Sequence, residues 1–152
     1  MKPCRILFVC LGNICRSSSA EGVMKHLVSE AGLEDQFVID SAGILSYHQG
    51  ELPDSRMRAH AIRRGYELTH RSRPVRTEDF YNFDLIIGMD DRNISNMIRI
   101  AGGDPAHKIY KLLMFADDPG DIADPWYTGE FGRTYEDIVR GCEGLLKHLV
   151  EK

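Results

Sequence analysis

The sequence predicts an α/β fold, in which helices cover both faces of a parallel β-sheet. Short apolar runs alternate along the chain with segments whose apolar residues recur every three or four positions, as in strands and helices. The chain has 152 residues, the usual length of one domain, and shows no internal repeat or linker. We therefore expect a single domain over residues 1–152.

The first half of the chain contributes two strands and two helices. RILFVC, residues 5–10, is nearly all apolar and predicts a strand that is buried on both faces. The apolar positions of residues 18–31 form one helix face, and Ser18 with Glu21 matches a capping box at its start. FVIDSA, residues 37–42, predicts the second strand, and an arginine-rich helix follows after a polar loop.

The second half continues the alternation. FDLIIGM, residues 83–89, predicts the third strand, and residues 91–101 follow as a helix. KIYKLL, residues 108–113, predicts a shorter fourth strand, and a loop rich in Asp, Gly and Pro covers residues 117–132. A last helix carries an apolar stripe over residues 135–149. In a parallel sheet of these four strands, a ligand is expected beyond the carboxyl ends of the strands, near the first strand-to-helix turn.

Composition narrows the function classes. Hydrophobic residues make up 43% and charged residues 28% of the chain, as in soluble globular proteins. The net charge of −4 argues against nucleic-acid binding. No apolar stretch suits a signal peptide or a membrane span, so we expect a cytoplasmic protein. Arginines cluster over residues 55–77 and acids over residues 117–143, which fits either a mixed solvated surface or attraction of an anionic substrate.

The four cysteines are spaced without a CxxC pair, which argues against a structural zinc site: Cys4, Cys10, Cys15 and Cys142. In a reducing compartment they are expected to be thiols. Cys142 lies on the apolar stripe of the last helix and is expected in the core. At least one of the others is then a candidate for chemistry.

The segment CLGNICRS, residues 10–17, places a thiol and a guanidinium in the first strand-to-helix turn. It lacks the GxxxxGK of a nucleotide loop and the GxGxxG of a dinucleotide loop. Free backbone N–H groups and the helix dipole at such a turn favour an anion, and the planar fork of Arg16 suits a phosphate. The same positive field favours the thiolate of Cys10, which is the attacking form of a cysteine. The alternative is that Cys10 is a small buried residue at the end of a strand. The expected phosphate contacts come from Leu11, Gly12, Asn13, Ile14, Cys15, Arg16 and Ser17.

A phosphocysteine route also needs a group that protonates the leaving oxygen and later deprotonates water. The loop ADDPGDIADPWYTGE offers four carboxylates, and their spacing does not choose among them: Asp117, Asp118, Asp121 and Asp124. All four could instead be turn formers. Asp124 is favoured because Pro125 restricts its backbone, and because Trp126 and Tyr127 beside it could wall a pocket for an aromatic ring.

Five segments together resemble the low-molecular-weight protein tyrosine phosphatases: VCLGNICRSSSAE, DSAG, LTHRSR, FDLIIGMDDRN and DPWY. The resemblance covers essentially the whole chain in the same order, and this family has a four-stranded parallel sheet with helices on both sides. It implies that Cys10 is the nucleophile, that Arg16 binds the phosphate, and that Asp124 is the general acid and then the base. It implies hydrolysis of protein phosphotyrosine and of small aryl phosphates, with no metal and no cofactor.

The resemblance also implies supporting roles. Four residues match the hydrogen-bond network that holds the loop: Asn13, Ser17, Ser41 and His70. Without the resemblance, His70 would be taken for a surface histidine. Three residues match the aromatic walls that accept the substrate ring: Tyr47, Trp126 and Tyr127. Asp40 and Asp90 match supportive acids, and His48 stands where several relatives carry an acid. Cys15 matches a second cysteine that forms a reversible disulfide with the nucleophile under oxidation.

Single sequence features distinguish this chain from relatives of the same fold that have other activities. Relatives that dephosphorylate arginine carry threonine at the position of Ile14, whereas Ile14 and the Trp126–Tyr127 pair favour an aromatic substrate. Arsenate reductases of this fold use two further cysteines, and residues 77–93 contain none. A phosphate-binding or redox-sensing module and a phosphocysteine carrier are the alternatives from other classes. We expect a monomer whose partners are phosphotyrosine proteins and oxyanions, and neither nucleic acid nor membranes.

Overall fold

Four parallel strands form one sheet in the order β2-β1-β3-β4, as predicted. The computed structural model describes residues 2–151. Its strands are β1 (Cys4–Cys10), β2 (Phe37–Gly43), β3 (Leu85–Gly88) and β4 (Ile109–Lys111). β1 pairs with β2 on one side and with β3 on the other. This central place explains its apolar sequence, because residues 6–10 are buried on both faces of the sheet.

Helices lie on both faces of the sheet, which confirms the predicted α/β architecture. The helices are α1 (Arg16–Glu30), α2 (Ser55–Arg63), α3 (Asp79–Asn82), α4 (Asp91–Ala101), α5 (Pro125–Thr128) and α6 (Phe131–Val150). The larger apolar core joins α1, α2 and α6 to one face, and it includes Met24, Tyr135 and Cys142. The smaller core packs Met97 of α4 against Leu7 and Val9 on the other face. No helix in the described part of the chain is long and apolar enough to cross a membrane.

The start of α1 differs from the prediction. The helix begins at Arg16 rather than at residue 18, and no side chain caps it. Ser18 donates to the carbonyl of Cys15 at 3.2 Å, and Glu21 accepts a hydrogen bond from Ser41, so the expected capping box is wrong. The first turn is wound directly out of the loop after β1, and its N–H groups therefore face that loop rather than a capping hydroxyl.

The fourth strand is shorter than predicted. Only Ile109–Lys111 pairs with β3, and Leu112–Ala116 continues as a 3-10 helix. Leu112 packs against α6 so closely that a Cβ on Gly141 would lie 2.6 Å from Leu112 Cγ. Where Leu112 packs against α6, the chain leaves the sheet and β4 ends. The loop predicted over residues 117–132 likewise contains the short helix α5, and α6 begins at Phe131 rather than at residue 135.

Candidate active site

The loop from Cys10 to Ser17 joins the central strand to α1 at the carboxyl edge of the sheet. Cys10 is 3% exposed, so its thiol is enclosed by protein rather than solvated. Its Sγ accepts a hydrogen bond from the backbone N–H of Ser17 at 3.4 Å and lies 3.0 Å from Ser17 Oγ. Both contacts come from the first turn of α1, where hydrogen-bond donors favour a negatively charged sulfur.

Asn13 fixes the shape of this loop. Its φ of 59° is left-handed, a conformation that asparagine tolerates better than most residues. Its buried amide nitrogen donates to Ser17 Oγ at 2.8 Å and to Ser41 Oγ at 3.0 Å. Its amide oxygen accepts from the Arg73 N–H at 3.1 Å and faces His70 Nε2 at 3.2 Å. Four partners on three chain segments thus hold one strained residue in place.

His70 joins the loop to two carboxylates. Its Nδ1 lies 3.3 Å from Asp40 and 3.4 Å from Glu21, while Nε2 faces Asn13. Ser41 donates to the same Glu21 carboxylate at 2.6 Å. The structure therefore brings together the residues assigned to loop support by resemblance. The ligand atoms of Glu21, Asp40 and His70 lie within 4.8 Å of one another, a spacing that a metal ion would accept. Each of the three already has a protein partner, so hydrogen bonds account for the cluster.

Three further residues support the loop and were missed in the sequence. Ser72 donates to the carbonyl of Gly12 at 3.0 Å. The Arg73 guanidinium pairs with Asp40 at 3.1 Å and with Asp79 at 3.0 Å. No spacing in the chain points to these pairs, because they join β2, the segment before α3 and the loop by tertiary contact only. Gly43 permits the close packing, since a Cβ there would lie 3.1 Å from the Asn13 backbone nitrogen.

Arg16 lies under the loop and is 2% exposed. Its Nη1 donates to Asp90 at 2.7 Å and to the carbonyl of Ile122 at 2.8 Å, and its Nη2 lies 3.5 Å from Asp124. Burial opposes the charge, but the charge of Cys10 and the hydrogen bond to Asp90 outweigh it, so the pKa of Arg16 lies above its ordinary value. Among the buried side-chain atoms of residues 2–151, Arg16 Nε has no hydrogen-bond partner. A buried donor of this kind suits an oxyanion oxygen.

The structure separates the four candidate acids. Asp124 lines the pocket above Cys10, and its Oδ1 caps α5 by accepting from the Trp126 N–H at 3.0 Å. Asp118 pairs with Arg140 at 3.0 Å, and Asp121 pairs with Lys111 at 3.0 Å. Asp117 is an exposed turn residue with a left-handed φ of 57°. Of the four, Asp124 is therefore the one that the fold brings to the thiol.

A pocket of about 240 Å³ opens above the loop. Cys10, Gly12 and Cys15 form its floor, and the three aromatic residues assigned to substrate binding stand around it. Tyr47 is 84% exposed and Trp126 is 48% exposed, so their rings are available to a ligand. His48 fills the space between them: its ring centroid lies 4.9 Å from that of Tyr47 and 5.8 Å from that of Trp126. Aromatic side chains and the Cys10 thiol therefore line the same pocket.

The remaining cysteines differ in their surroundings. Cys15 is buried in the same loop as Cys10, and burial, reinforced by the charge of Cys10, raises the pKa of its thiol. Cys142 is fully buried on α6 in the larger core, where burial also raises the pKa of its thiol. Cys142 is thus a core residue, far along the chain from the loop.

Fold and site together define an α/β protein whose first strand-to-helix loop holds a buried thiol and a buried guanidinium. Residues 5–152 match the family model described as low molecular weight phosphotyrosine protein phosphatase. A low molecular weight protein-tyrosine-phosphatase of Bacillus subtilis, YfkJ, is 40% identical over 95% of this chain and 94% of its own length. The human low molecular weight phosphotyrosine protein phosphatase is 35% identical over 93% of both chains. The chain therefore belongs to the low molecular weight phosphotyrosine protein phosphatase family.

Solved structures agree with this assignment. The crystal structure of YfkJ superposes with a TM-score of 0.96 over 99% of this chain and 97% of that chain, at 37% identity. A Drosophila arginine phosphatase superposes with a TM-score of 0.89 over 98% of both chains, at 34% identity. The family resemblance noted in the sequence is confirmed, and the fold is shared by proteins named for different phosphoresidues.

Proposed function

We propose that this chain hydrolyses phosphotyrosine in proteins, and small aryl phosphates, through a phosphocysteine on Cys10. The Cys10 thiolate attacks phosphorus, the P–O bond to the phenol breaks, and the Asp124 carboxyl gives its proton to the leaving oxygen. Asp124, now a carboxylate, then takes a proton from water, and that water attacks phosphorus. The P–S bond breaks, and inorganic phosphate and the Cys10 thiolate are released.

The single observation that carries this proposal is that one loop holds both the buried Cys10 sulfur and Arg16 Nε, unpartnered within the described residues. A buried sulfur accepts from the first turn of a helix, and a buried guanidinium N–H has no partner among residues 2–151. A phosphoryl group seated on the loop supplies an oxygen to that N–H and presents phosphorus to the sulfur. The N–H groups of residues 11–17 and Arg16 then face the equatorial oxygens, where charge spreads in the transition state.

An aromatic substrate is supported by the pocket walls. Tyr47, Trp126 and Tyr127 line the same pocket as Cys10 and offer aromatic surface to a phenyl group. Ile14 adds an apolar side chain to the same lining. A guanidinium leaving group would lose its hydration among these apolar surfaces, where Asp124 is the carboxylate in the pocket lining. Phosphotyrosine is therefore the proposed substrate, although the fold is shared with a Drosophila arginine phosphatase.

A redox response is also proposed for Cys15. Hydrogen peroxide would oxidise the Cys10 thiolate to a sulfenic acid and release hydroxide. The Cys15 thiol would then attack that sulfur, forming a disulfide and releasing water. Cys15 is buried in the same loop as Cys10, five residues along the chain, and burial raises the pKa of its thiol. We propose that the chain acts as a monomer.

The test is phosphate release from a phosphotyrosine peptide and from para-nitrophenyl phosphate at mildly acidic pH, with a phosphoarginine peptide in parallel. Cys10→Ser should abolish turnover while inorganic phosphate still binds. Cys4→Ser, at the opposite end of β1, is the matched control and should keep its activity. No release from either aryl substrate by the unsubstituted protein would refute the enzyme assignment. Faster release from phosphoarginine would refute the role given to the aromatic walls.

A further inference from the structure

Lys111 is a buried cation that the proposed mechanism does not use. It ends β4 at the same carboxyl edge of the sheet as Cys10, and its side chain is 8% exposed. Its Nζ donates to Pro119 O at 2.6 Å, to Asp91 Oδ1 at 2.9 Å and to Asp121 Oδ1 at 3.0 Å. All three N–H groups of the ammonium are thus occupied. A buried charge is costly to leave unpaired, so these three contacts tie Lys111 to the segments that carry its partners.

Those partners belong to the two segments that present carboxylates to Arg16. Asp91 follows Asp90, whose carboxylate accepts from Arg16 at 2.7 Å. Pro119 and Asp121 lie in the segment that leads to Asp124. The Asp91 N–H also donates to Asp121 Oδ1 at 3.1 Å, so the two segments touch directly. Lys111 therefore lies behind the pair of carboxylates that flank the phosphate-binding guanidinium.

The rest of the segment from Pro119 to Asp124 is fixed by backbone contacts. The Ile122 N–H donates to Met89 O at 2.9 Å, and Ile122 O accepts from Arg16. These bonds hold the middle of the segment, whereas Lys111 holds its beginning. Without the ammonium, Asp91 and Asp121 would face each other as like charges, which repel at this range. Relief of that repulsion would draw the segment outward and displace Asp124.

We propose that Lys111 is a positioning residue, which holds Asp124 at the distance where it can protonate the leaving oxygen. The inference rests on the proposed function, in which Asp124 is the general acid. Burial opposes the charge of Lys111, but hydrogen bonds to Asp91 and Asp121 outweigh it and raise the pKa of the ammonium. The cation is thus present throughout the neutral and acidic range. An error of about 1 Å in the place of a catalytic group can cost on the order of 100-fold in rate.

The experiment compares Lys111→Met with Lys108→Met in kcat/KM, which reports the steps up to release of the phenol. Lys108 is the matched control, because it precedes the same strand and its Nζ donates to Phe80 O at 3.1 Å instead. Phenyl phosphate has a poor leaving group, and para-nitrophenyl phosphate has a good one. We expect Lys111→Met to lose about tenfold on phenyl phosphate and less than about twofold on para-nitrophenyl phosphate, a fraction of the full effect of a general acid. Lys111→Arg should restore most of the loss, and inhibition by inorganic phosphate should not change.

Equal losses on both substrates in Lys111→Met would overturn the proposal, because they would indicate general loosening of the fold. So would wild-type behaviour on phenyl phosphate. Asp121→Ala gives the same comparison if Lys111→Met does not fold, since Asp121 is half exposed. Asp121→Asn keeps an oxygen for Lys111 and should restore activity, whereas loss in Asp121→Asn as large as in Asp124→Asn would make Asp121 the acid and overturn the proposal.

Asp124→Asn in the same assay separates this inference from the proposed function. A loss on phenyl phosphate in Asp124→Asn that is absent in Lys111→Met overturns the positioning role alone. If Asp124→Asn shows no dependence on the leaving group, the assignment of Asp124 as the general acid fails, and the role of Lys111 fails with it.

Discussion

Replacement of Asp124 by asparagine or alanine separates the structural role of this carboxyl group from its proposed role as general acid. Its Oδ1 caps α5 by accepting from the Trp126 N–H at 3.0 Å, and its Oδ2 lies 3.5 Å from Arg16 Nη2. Asp124→Asn retains an oxygen for the cap, because asparagine is a good N-cap residue. Asp124→Ala removes the cap as well as the proton donor. The two variants therefore differ in how well α5 is capped, and neither has a carboxyl group at position 124.

The magnitudes follow from these contacts. Loss of a general acid costs roughly 10²–10⁴-fold in rate, and both variants should show this in kcat/KM for phenyl phosphate. Loss of an N-cap costs about 1 kcal/mol, which corresponds to about a fivefold change in an equilibrium constant. Because α5 carries Trp126 and Tyr127, that second effect should appear as a higher KM for aryl substrates. It should be present in Asp124→Ala and absent in Asp124→Asn.

The assay is steady-state phosphate release, with phenyl phosphate and para-nitrophenyl phosphate compared. The loss in both Asp124 variants should be larger on phenyl phosphate, because a poorer leaving group depends more on a proton donor. Asp117→Ala, which changes an exposed acid in the same loop, should behave as the unsubstituted protein. Wild-type kcat/KM for phenyl phosphate in Asp124→Asn would refute the reasoning. So would equal KM values for the alanine and asparagine variants.

Three further predictions concern the loop and the core. Asn13→Ala should weaken inhibition by phosphate and lower the free energy of unfolding by about 2–4 kcal/mol, because four partners lose their hydrogen bonds and the left-handed position loses a tolerant residue; a urea titration with an unchanged midpoint would contradict this. Cys15→Ser should make inactivation by hydrogen peroxide irreversible by dithiothreitol, whereas equal recovery in both proteins would exclude the disulfide. Burial raises the pKa of Tyr135 from 10.0 to about 12. The unfolded chain then loses this proton first, so stability is full below pH 10 and falls by roughly 2–3 kcal/mol as pH rises to about 12. In Tyr135→Phe this fall should be smaller in urea titrations, and an identical fall would contradict the reasoning.

The fold could be predicted because its signals are local. β1 is apolar at nearly every position, and a central strand of a parallel sheet needs that. Two of the errors arise where tertiary contacts decide the outcome. The capping box at Ser18 is wrong because α1 already begins at Arg16 and the Glu21 carboxylate accepts from Ser41 of β2. β4 ends early where Leu112 packs against Gly141 of α6.

The site residues likewise fall into those that local sequence places together and those that only tertiary contacts bring together. Cys10 and Arg16 could be placed together from the sequence because one short loop holds both residues. The choice among the acids could not be settled by spacing, since it depends on Arg140 and Lys111 taking Asp118 and Asp121 away from the pocket. His70 was found by resemblance alone: it is separated by 57 positions from Asn13, and no local pattern marks the contact.

In the proposed mechanism, the donors of Arg16 would couple phosphate binding to proton transfer. A guanidinium has five N–H groups. The two on Nη1 donate to the Asp90 carboxylate and to the carbonyl of Ile122. Nε and Nη2 remain as one edge of the fork, which matches two oxygens of a phosphoryl group. Nη2 touches Asp124 only at 3.5 Å, too long for a strong hydrogen bond. In the proposed reaction, a phosphoryl group that takes this edge would replace the long contact to Asp124 and leave that carboxyl free to reach the leaving oxygen.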